Sequence, residues 1–287
     1  MMTNNCLILG PSGRFGRHTM TEFISRGWVV TPFRRNVDDL ETLAANADVI
    51  VFGWHLKYSD WETHYDALVD TVIAAAQINN ATILFPGNVY IYGKNPDPVW
   101  GPDTAHQAAN TLCKVRSRIE ARLESSGVQT IVVRSGDFVD TEQSGTWFDM
   151  VVSKKLGRGI LTYPGDPTAR HAWGFLPDIA RAAVDLAEMH SDLGHFVDVA
   201  VPGYAISAQE MADTFAQILN RDVVVRPMSC TFFRALSPVW PVARHIIAMR
   251  YLWSHPHELD GRALSHHLPS FRQTPLRDAL SQAICIK

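Results

Sequence analysis

Three glycines close to the N-terminus constrain the fold of this chain more than any other feature. Gly10, Gly13 and Gly16 follow a short apolar run at residues 6–10 and lead into a helical pattern at residues 14–26. Glycines spaced in this way between a strand and a helix allow a tight turn, close approach of a pyrophosphate to the backbone, and close packing of the helix on the strand. The helix N-terminus then offers free N–H groups and partial positive charge to phosphate. The sequence therefore predicts a dinucleotide-binding loop with contacts from Gly10, Ser12, Gly13, Arg14, Phe15 and Gly16.

Short β-like runs alternate with helical patterns through most of the chain, which is typical of a parallel sheet with helices on both faces. Strands are predicted at residues 6–10, 28–33, 48–53, 81–86 and 128–134. Helices are predicted at residues 14–26, 38–46, 61–77, 105–125 and 177–189, and Gly- and Pro-rich loops at residues 87–102 and 157–174. The predicted fold class is α/β, with a doubly wound parallel Rossmann sheet in residues 1–193. A small C-terminal substrate-side lobe is predicted in residues 194–287, with strands at 195–201 and 223–226 and a helix at 208–219.

The charge balance argues against a polyanionic partner. The chain has 26 Lys and Arg against 29 Asp and Glu, a net charge of -3, and its basic residues are scattered. It therefore has no field that would gather nucleic acid or an anionic membrane. The apolar stretch at residues 238–253 contains Arg244, His245 and Arg250, which excludes a spanning helix. Widely spaced cysteines and the lack of a signal peptide favour a cytoplasmic location. We expect a small-molecule substrate, no nucleic-acid or membrane partner, and a monomer or homodimer.

The end of the second predicted strand bears on the choice of dinucleotide. An NAD site usually places an acidic residue there for the adenosine ribose 2′-hydroxyl, but here Arg34 and Arg35 follow the strand. Guanidinium groups suit a 2′-phosphate, because they form paired charge-assisted hydrogen bonds. The sequence therefore favours NADP, with NAD possible and Arg14 as a third candidate contact. Residues 36–47 leave room for one short helix only, so the third Rossmann strand is predicted to be missing.

Several segments, taken in order, resemble one family. They are the G-x-x-G-x-x-G spacing of residues 10–16, Phe-Pro-Gly-Asn-Val-Tyr-Ile-Tyr-Gly at 85–93, Val-Arg-Ser-Gly-Asp at 133–137, and the Gly-Asp and Arg-x-x-Trp elements within 163–178. Together they resemble the extended and atypical short-chain dehydrogenase/reductases, which form the nucleotide-sugar epimerase/dehydratase superfamily. The resemblance covers most of the chain. It implies an NAD(P) cofactor with further contacts at Pro86, Gly87 and Lys114.

The same resemblance implies a degraded catalytic triad. The superfamily uses a Ser or Thr, followed by Tyr-x-x-x-Lys on the next helix, where the spacing places Tyr and Lys on one face. In this chain the Lys position is matched by Lys114, the Tyr position by Asn110 and the Ser/Thr position by Asn88. Asn cannot act as an acid or a base. Two hypotheses remain: an oxidoreductase or epimerase-like enzyme in which Lys114 works with Tyr90 or Tyr92, or a dinucleotide-binding protein that senses redox state without turnover. For Tyr92, packing in the core is as plausible as catalysis.

Other polar clusters support no competing chemistry. No G-x-S-x-G motif is present, which argues against a hydrolase. His55 and His64 flank a loop at residues 57–61 that is expected to line the substrate cleft. The paired histidines have no carboxylate or Cys at ligand spacing, so we expect solvated side chains and no metal site at His255, His257, His266 and His267. The late aromatic residues could wall a pocket, form a dimer face or pack in the core: Phe232, Phe233, Trp240, Tyr251 and Trp253.

Overall fold

The computed structural model describes residues 4–229, 244 and 247–284. Its strands are β1 (Asn5–Leu9), β2 (Val29–Pro32), β3 (Val49–Phe52), β4 (Thr82–Asn88), β5 (Val99–Trp100), β6 (Thr130–Ser135), β7 (Asp137–Val139), β8 (Ile160–Tyr163), β9 (His171–Phe175), β10 (Phe196–Ala200), β11 (Tyr204–Ile206), β12 (Val224–Pro227) and β13 (Glu258–Leu259). Its α-helices are α1 (Arg14–Ser25), α2 (Leu40–Ala44), α3 (Trp61–Ile78), α4 (Thr111–Ser125), α5 (Leu176–Glu188), α6 (Ala208–Leu219), α7 (Arg262–His267) and α8 (Leu276–Ala283). Phe232, Phe233 and Trp240 lie outside the described residues.

The central sheet has six strands, all parallel, in the order β2-β1-β3-β4-β6-β10. Both faces are covered by helices, so the strands are apolar throughout and their side chains alternate between two cores. Along β1, Cys6 and Ile8 join the core formed with α1 and α5. Leu7 and Leu9 join the core formed with α3 and α4 on the opposite face. The predicted doubly wound Rossmann fold is confirmed.

The sheet ends at β2, beyond which the chain makes only the short helix α2 before it crosses to β3 on the other side of β1. The third Rossmann strand is therefore absent, as the short segment predicted. The strand order reverses between β1 and β3, which makes their carboxyl ends the topological switch point. In open α/β sheets ligands bind in the crevice at this point.

A smaller lobe lies beyond the sheet and has its own core. It combines the sheet β11-β9-β7 and the pair β12-β8 with α6 and α8.

Two sequence predictions differ from the observed arrangement of strands. Residues 157–174, predicted as loop, contain β8 and the start of β9, because pairing with distant strands outweighs a local excess of Gly and Pro. The strand β10 pairs with β6, so the central sheet continues past residue 193.

Within the described ranges, no helix combines the length and apolar character needed to cross a membrane.

Candidate functional site

The glycine loop lies at the switch point and is packed against the end of β3. Gly10 has a φ of +86°, and a Cβ added there would lie 2.7 Å from the carbonyl oxygen of Gly53. A Cβ on Gly16 would overlap the carbonyl oxygen of Gly10, so a glycine at this position is what allows α1 to pack closely against the loop. Gly13 caps α1 in an extended conformation and donates its N–H to Gly10 O at 3.0 Å. The first and third glycines are therefore required by the protein's own backbone.

The N-terminus of α1 is open to an anion. No side chain caps the helix, and its first turn contains no acidic residue. Phe15 anchors the turn in the core with 5% exposure, and Ser12 lies exposed at the tip of the loop. Uncapped N–H groups and the helix dipole favour negative charge at this point. The geometry can therefore hold a phosphate group above Gly13.

Arg14 is bound by a neighbouring loop. Its Nε donates to Ser144 O at 2.9 Å and its Nη2 to Gly145 O at 2.6 Å. These bonds tie the loop that follows β7 to the start of α1. The guanidinium, a candidate third contact for a 2′-phosphate, is occupied by these two carbonyl groups.

The same loop is held to α1 by a buried carboxylate. Asp140, whose side chain is 1% exposed, forms an ion pair with Arg17 and lies 2.8 Å from His18 Nε2. Ser144 Oγ donates to it as well. Burial raises the pKa of Asp140, but the hydrogen bonds from His18, Arg17 and Ser144 lower it by more, so the pKa lies below its ordinary value. This carboxylate therefore fixes the loop beside the glycine turn.

Arg34 and Arg35 follow β2, whose Pro32 pairs with Ile8 of β1, the strand that leads into the glycine loop. Arg34 is exposed and forms an ion pair with Asp38, at 2.6 Å between Nη2 and Oδ1. Arg35 lies over the ring of Trp54, which follows β3, at 5.6 Å from the ring centroid. Arg34 is thus bound to a carboxylate, and Arg35 contacts an aromatic ring from the segment that follows β3.

The face of α4 that packs against the end of β4 carries Arg116 and not Lys114. Arg116 is 3% exposed, donates from Nη2 to Pro86 O at 2.5 Å, and lies 4.5 Å from the ring centroid of Phe85. Its Nε is buried and has no hydrogen-bond partner among the described residues. Lys114 is exposed. Residues two apart on a helix point about 200° away from each other, so the two side chains lie on opposite faces. The match of Lys114 to the superfamily's Lys therefore stays a prediction, with Arg116, two residues later, as the alternative on the buried face of the helix.

Asn110 has a structural role in the same helix. Its Oδ1 accepts the N–H of Cys113 at 3.1 Å, which makes it the N-cap of α4. The cap explains why the helix begins at Thr111 and not at residue 105, where the sequence pattern predicts its start. Four residues before Arg116 stands Leu112, which is 2% exposed. The positions that match Tyr-x-x-x-Lys on the cleft face are thus Leu112 and Arg116.

The residues at the end of β4 form hydrogen bonds and packing contacts with the adjacent elements. Asn88 accepts the N–H of Tyr90 on Oδ1 at 3.0 Å and caps a 3₁₀-helix, Val89–Tyr92. A Cβ on Gly87 would lie 2.7 Å from Val132 Cγ1 on β6, so this glycine serves strand packing. Pro86 supplies the carbonyl that holds Arg116. The predicted contacts therefore adjoin the cleft but also carry structural roles.

Below this edge, Arg134 joins three elements. It is 1% exposed and pairs with Glu120 of α4 at 2.7 Å and with Asp198 of β10 at 2.5 Å. Its Nη1 also donates to Asn88 O at 2.6 Å. A buried guanidinium without these partners would be strongly destabilising. The ion pairs of Arg134 with Glu120 and Asp198 therefore fix α4 relative to the strand end that carries Asn88.

Of the two tyrosines considered as proton donors, Tyr92 is in the core. It is 0% exposed, its hydroxyl donates to Gly101 O at 3.1 Å, and its ring packs against Trp100. Tyr90 is half-buried, and its hydroxyl lies 3.5 Å from the hydroxyl of Tyr58. Burial raises the pKa of Tyr90, and neighbouring Tyr58 and Asp137 raise it further, whereas Arg116 lowers it. Packing in the core thus explains the position of Tyr92. Tyr90 is the tyrosine of these two whose pKa is lowered by the charge of Arg116.

Sequence reasoning missed three residues of the cleft. Asp137 Oδ2 lies 3.0 Å from His171 Nε2 and accepts a hydrogen bond from Trp253 Nε1 at 2.9 Å. Asp137 and His171 occur in segments that carry the family resemblance, but nothing in their spacing predicts their contact. Tyr58, the third, belongs to the loop that is expected to line the cleft.

Among the described residues, the histidines singled out by the sequence do not cluster with other metal-ligating side chains. His55 and His64 are exposed, and His55 packs its ring against Tyr58 and Trp61. His257 is buried and stacks on Trp100 at 4.2 Å, so it is not solvated as the sequence suggested. No group of three His, Cys, Asp or Glu side chains in the part of the chain described here is arranged to hold a metal ion.

Comparisons with known proteins identify the fold. A scan against models of protein families finds no match, and a search among curated proteins finds no similar sequence. Solved structures match over the whole chain. MoeE5 in complex with UDP-glucose and NAD has a TM-score of 0.75 and 15% identity, with 98% of this chain and 97% of that chain covered. GDP-mannoheptose C4 reductase (MlghC) from Campylobacter jejuni, with NADP bound, has a TM-score of 0.71 and 15% identity. The match covers 99% of this chain and 98% of that chain.

A third structure agrees with these two. The Bordetella bronchiseptica enzyme WbmH in complex with NAD+ has a TM-score of 0.69 and 18% identity, with 99% of this chain and 97% of that chain covered. The resemblance to the epimerase/dehydratase superfamily, predicted from the sequence, is thereby confirmed for the fold. Fold alone does not establish the chemistry, which depends on the site.

Proposed function

We propose that this protein is an NAD(P)(H)-dependent oxidoreductase or epimerase-like enzyme that acts on a small carbonyl, alcohol or sugar-type substrate. The observation that carries the proposal is the glycine loop, which joins β1 to an uncapped helix at the switch point. Matching structures that hold NAD or NADP in a chain of the same fold give further support.

The residues present fit such a cofactor. Gly10 and Gly16 allow the tight turn and the close packing of α1 that bring the uncapped helix N-terminus to the switch point, and that N-terminus favours a pyrophosphate. At the other end of the cleft, Arg116 has a buried Nε without a partner among the described residues, beside Pro86. A ribose hydroxyl of the cofactor would satisfy this donor. When bound, the reduced nicotinamide supplies a hydride to the substrate carbon.

NADP is proposed over NAD. Arg34 and Arg35 follow the end of β2, and neither is replaced by the acidic residue that an NAD site uses. The stacking of Arg35 on Trp54 leaves the edge of its guanidinium available for a 2′-phosphate. A carboxylate, Asp38, already pairs with Arg34, so we expect Arg35 to contribute no less than Arg34.

The cleft offers groups that can orient a carbonyl oxygen. The hydroxyl groups of Tyr58 and Tyr90 lie 3.5 Å apart, and both tyrosines are near enough to Arg116 for its charge to lower their pKa values, which burial raises. Hydrogen-bond donors aimed at an oxygen stabilise the charge that develops on it during reduction. We propose that these hydroxyl groups, in the absence of the usual Tyr, donate to the substrate oxygen.

A second function is favoured by one observation. The cleft-facing positions that match Tyr-x-x-x-Lys are Leu112 and Arg116, so the usual proton donor is absent. A protein that binds the dinucleotide and senses redox state would need no such donor. This alternative predicts tight binding of NADPH without turnover of any substrate.

The test combines cofactor titration with an activity panel. NADPH and NADH are titrated into the wild type and into Gly13→Val, and NADPH oxidation is followed with aldehydes, ketones and sugar nucleotides. The proposal predicts saturable NADPH binding that the variant loses, together with oxidation by at least one substrate class. Binding without oxidation would support the sensor, and absence of binding would refute both functions.

A further inference from the structure

One carboxylate oxygen of Asp137 is fixed by neighbouring side chains, and the other is open. Asp137 Oδ2 lies 3.0 Å from His171 Nε2 and accepts a hydrogen bond from Trp253 Nε1 at 2.9 Å. Oδ1 accepts no hydrogen bond from the described residues, yet it is accessible to solvent, since the side chain keeps 12% exposure. Asp137 therefore offers one carboxylate oxygen to a ligand.

The position of this carboxylate is set by the strands around it. Asp137 begins β7 and pairs with Trp173 of β9. A Cβ added to the preceding residue, Gly136, would lie 2.0 Å from Ala172 O, so the backbones of the two segments are in close contact there. Because a carboxyl group is planar, the two contacts at Oδ2 also restrict the direction of Oδ1. The open oxygen is therefore held in place before a ligand arrives, which lowers the entropy lost on binding.

The charge of Asp137 acts on the two tyrosines that are proposed to bind the substrate oxygen. Burial raises the pKa values of Tyr58 and Tyr90, and the charge of Asp137 raises them further, whereas that of Arg116 lowers them. The tyrosine pair is therefore near both a carboxylate and a guanidinium group, because Coulombic interactions weaken with distance. A small molecule whose carbonyl oxygen accepts from these hydroxyl groups has Asp137 as a neighbouring charge.

Two indole rings lie beside the carboxylate. Trp253, which donates to Oδ2, packs edge to face against Trp147, with 4.6 Å between the ring centroids. Trp253 is buried and Trp147 is half-buried, so the ring of Trp147 keeps surface that a ligand can contact. Sites for small molecules combine mainly apolar walls with a few polar groups that give orientation and specificity. Asp137 and this pair of rings together have that composition.

An open carboxylate oxygen selects for one kind of ligand group. It can only accept hydrogen bonds, so it binds a hydroxyl group and gains nothing from a methyl group. An anionic group at the same place is disfavoured, because like charges repel each other strongly where solvent screening is weak. A cationic group is disfavoured by Arg116, whose charge acts on the same two tyrosines. The chemistry that fits best is an uncharged group with an O–H donor.

We propose that Asp137 is a specificity-determining residue, which selects an uncharged substrate with a hydroxyl group besides the reacting carbonyl or alcohol group, as in a hydroxyketone or a sugar. This inference rests on the proposed function, in which Tyr58 and Tyr90 bind the reacting oxygen. The additional hydroxyl group of the substrate donates to Asp137 Oδ1, and the apolar part of the substrate contacts Trp147. The same carboxylate rejects keto acids.

Matched sets of ketones test this selection. Each set compares a hydroxyketone with a ketone that has a methyl group in place of the hydroxyl group and with the keto acid of the same chain length. The sets are hydroxyacetone, butanone and pyruvate; 4-hydroxy-2-butanone, 2-pentanone and acetoacetate; and 5-hydroxy-2-pentanone, 2-hexanone and levulinate. A hydrogen bond to a charged acceptor corresponds to about 10–100-fold, so wild-type kcat/KM should favour the hydroxyketone over the ketone by this factor in at least one set, with the keto acid lowest. Equal kcat/KM for the hydroxyketone and the ketone in every set would overturn the proposal.

Replacing Asp137 by Asn is expected to change the selection. Trp253 Nε1 can only donate, so the amide oxygen takes the position of Oδ2 and the NH₂ group that of Oδ1. Asp137→Asn thus removes the negative charge and presents a donor. The ratio of kcat/KM between hydroxyketone and keto acid should therefore fall by at least ~10-fold, with NADPH affinity unchanged. An unchanged ratio would contradict the role of Asp137.

Asp166→Asn is the matched control. It removes a carboxylate that follows β8 and whose Oδ1 already accepts from the N–H and the hydroxyl group of Thr168. The change in net charge is the same as in Asp137→Asn, but the carboxylate has partners of its own. We expect this control to keep the wild-type ratio between hydroxyketone and keto acid.

A binding measurement separates this selection from the proposed function. The ¹H–¹⁵N signal of the Trp253 indole, assigned with Trp253→Phe, reports on the carboxylate because its N–H donates to Oδ2. Hydroxyketones should shift this signal more than the matched ketones do, in cofactor-free protein and in protein saturated with NADP⁺. Equal shifts, or no shift with any hydroxyketone, would overturn the selection.

The two failures are therefore distinguishable. If NADPH does not bind to the wild type, the proposed function is refuted, and titration of the cofactor-free protein still decides whether Asp137 selects for a hydroxyl group. If NADPH binds and ketones are reduced without preference for the hydroxyketones, the selection alone is refuted.

Discussion

The replacement of Arg116 by Met is the most informative single change, because this side chain makes both favourable and unfavourable contributions to the free energy of unfolding. Removing the guanidinium loses a charge-assisted hydrogen bond to Pro86 O, about 1.5–3 kcal/mol, and the contact with the ring of Phe85, about 0.5–2 kcal/mol. It also removes a buried Nε that has no partner among the described residues, whose desolvation costs about 1–3 kcal/mol. At the midpoints of these ranges the free energy of unfolding without cofactor falls by about 1.5 kcal/mol, and by no more than about 4 kcal/mol if the losses dominate.

Cofactor affinity should change independently of stability. If a ribose hydroxyl satisfies Nε on binding, Arg116→Met loses a bond to a charged donor of about 1.5–3 kcal/mol, which is roughly 10–100-fold in the NADPH dissociation constant. Titration of NADPH and denaturant unfolding of the same variant separate the two effects. The matched control is Lys114→Met, which removes a cation from the exposed face of the same helix.

The outcome decides which residue faces the cofactor. We expect Lys114→Met to bind NADPH as the wild type does. Weaker binding in Lys114→Met together with normal binding in Arg116→Met would refute the helix face assigned to the cleft and would favour Lys114 as the cofactor contact.

Four further results are expected. Arg34→Ala should weaken NADPH binding and leave NADH binding unchanged, and equal loss for both cofactors would argue against a 2′-phosphate contact. Gly13→Val should fold yet lose cofactor binding, whereas Gly16→Ala should lower the melting temperature, because its Cβ meets the backbone of the loop. Asn110→Tyr should cost about 1 kcal/mol of stability through the lost helix cap and should not raise turnover; faster turnover would reinstate this position in the cleft. Because the pKa of Asp140 is lowered in the folded state, its contribution to stability is complete above the unfolded pKa of about 4 and declines as pH falls below it. Unfolding curves should therefore show that Asp140→Asn is more destabilising at pH 7 than at pH 3, and an equal effect at both values would contradict this linkage.

The sequence by itself determined the parts of this protein that depend on local pattern. The predicted ends of strand β1 and helix α1 agree with the observed ends to within a residue, because a buried parallel strand is a continuous apolar run and the glycines mark the turn. The absence of a third Rossmann strand also follows from chain length, since residues 36–47 cannot hold both a helix and a strand. The fold class and the location of the glycine loop therefore follow from the amino-acid sequence alone.

The tertiary structure alone decided which polar side chains face the cleft. A pattern of Tyr-x-x-x-Lys can be placed on α4 in more than one register, and only packing against β4 shows that Arg116 is inside and Lys114 outside. Likewise, Asp137 and His171 are separated along the chain and meet because β7 and β9 pair side by side. Helical periodicity and strand alternation are local properties, but the contact between two strands depends on the whole chain's packing. For that reason the sequence predicted the glycine loop, and the tertiary contacts were needed to show that Arg116 is buried against β4 and that Asp137 meets His171.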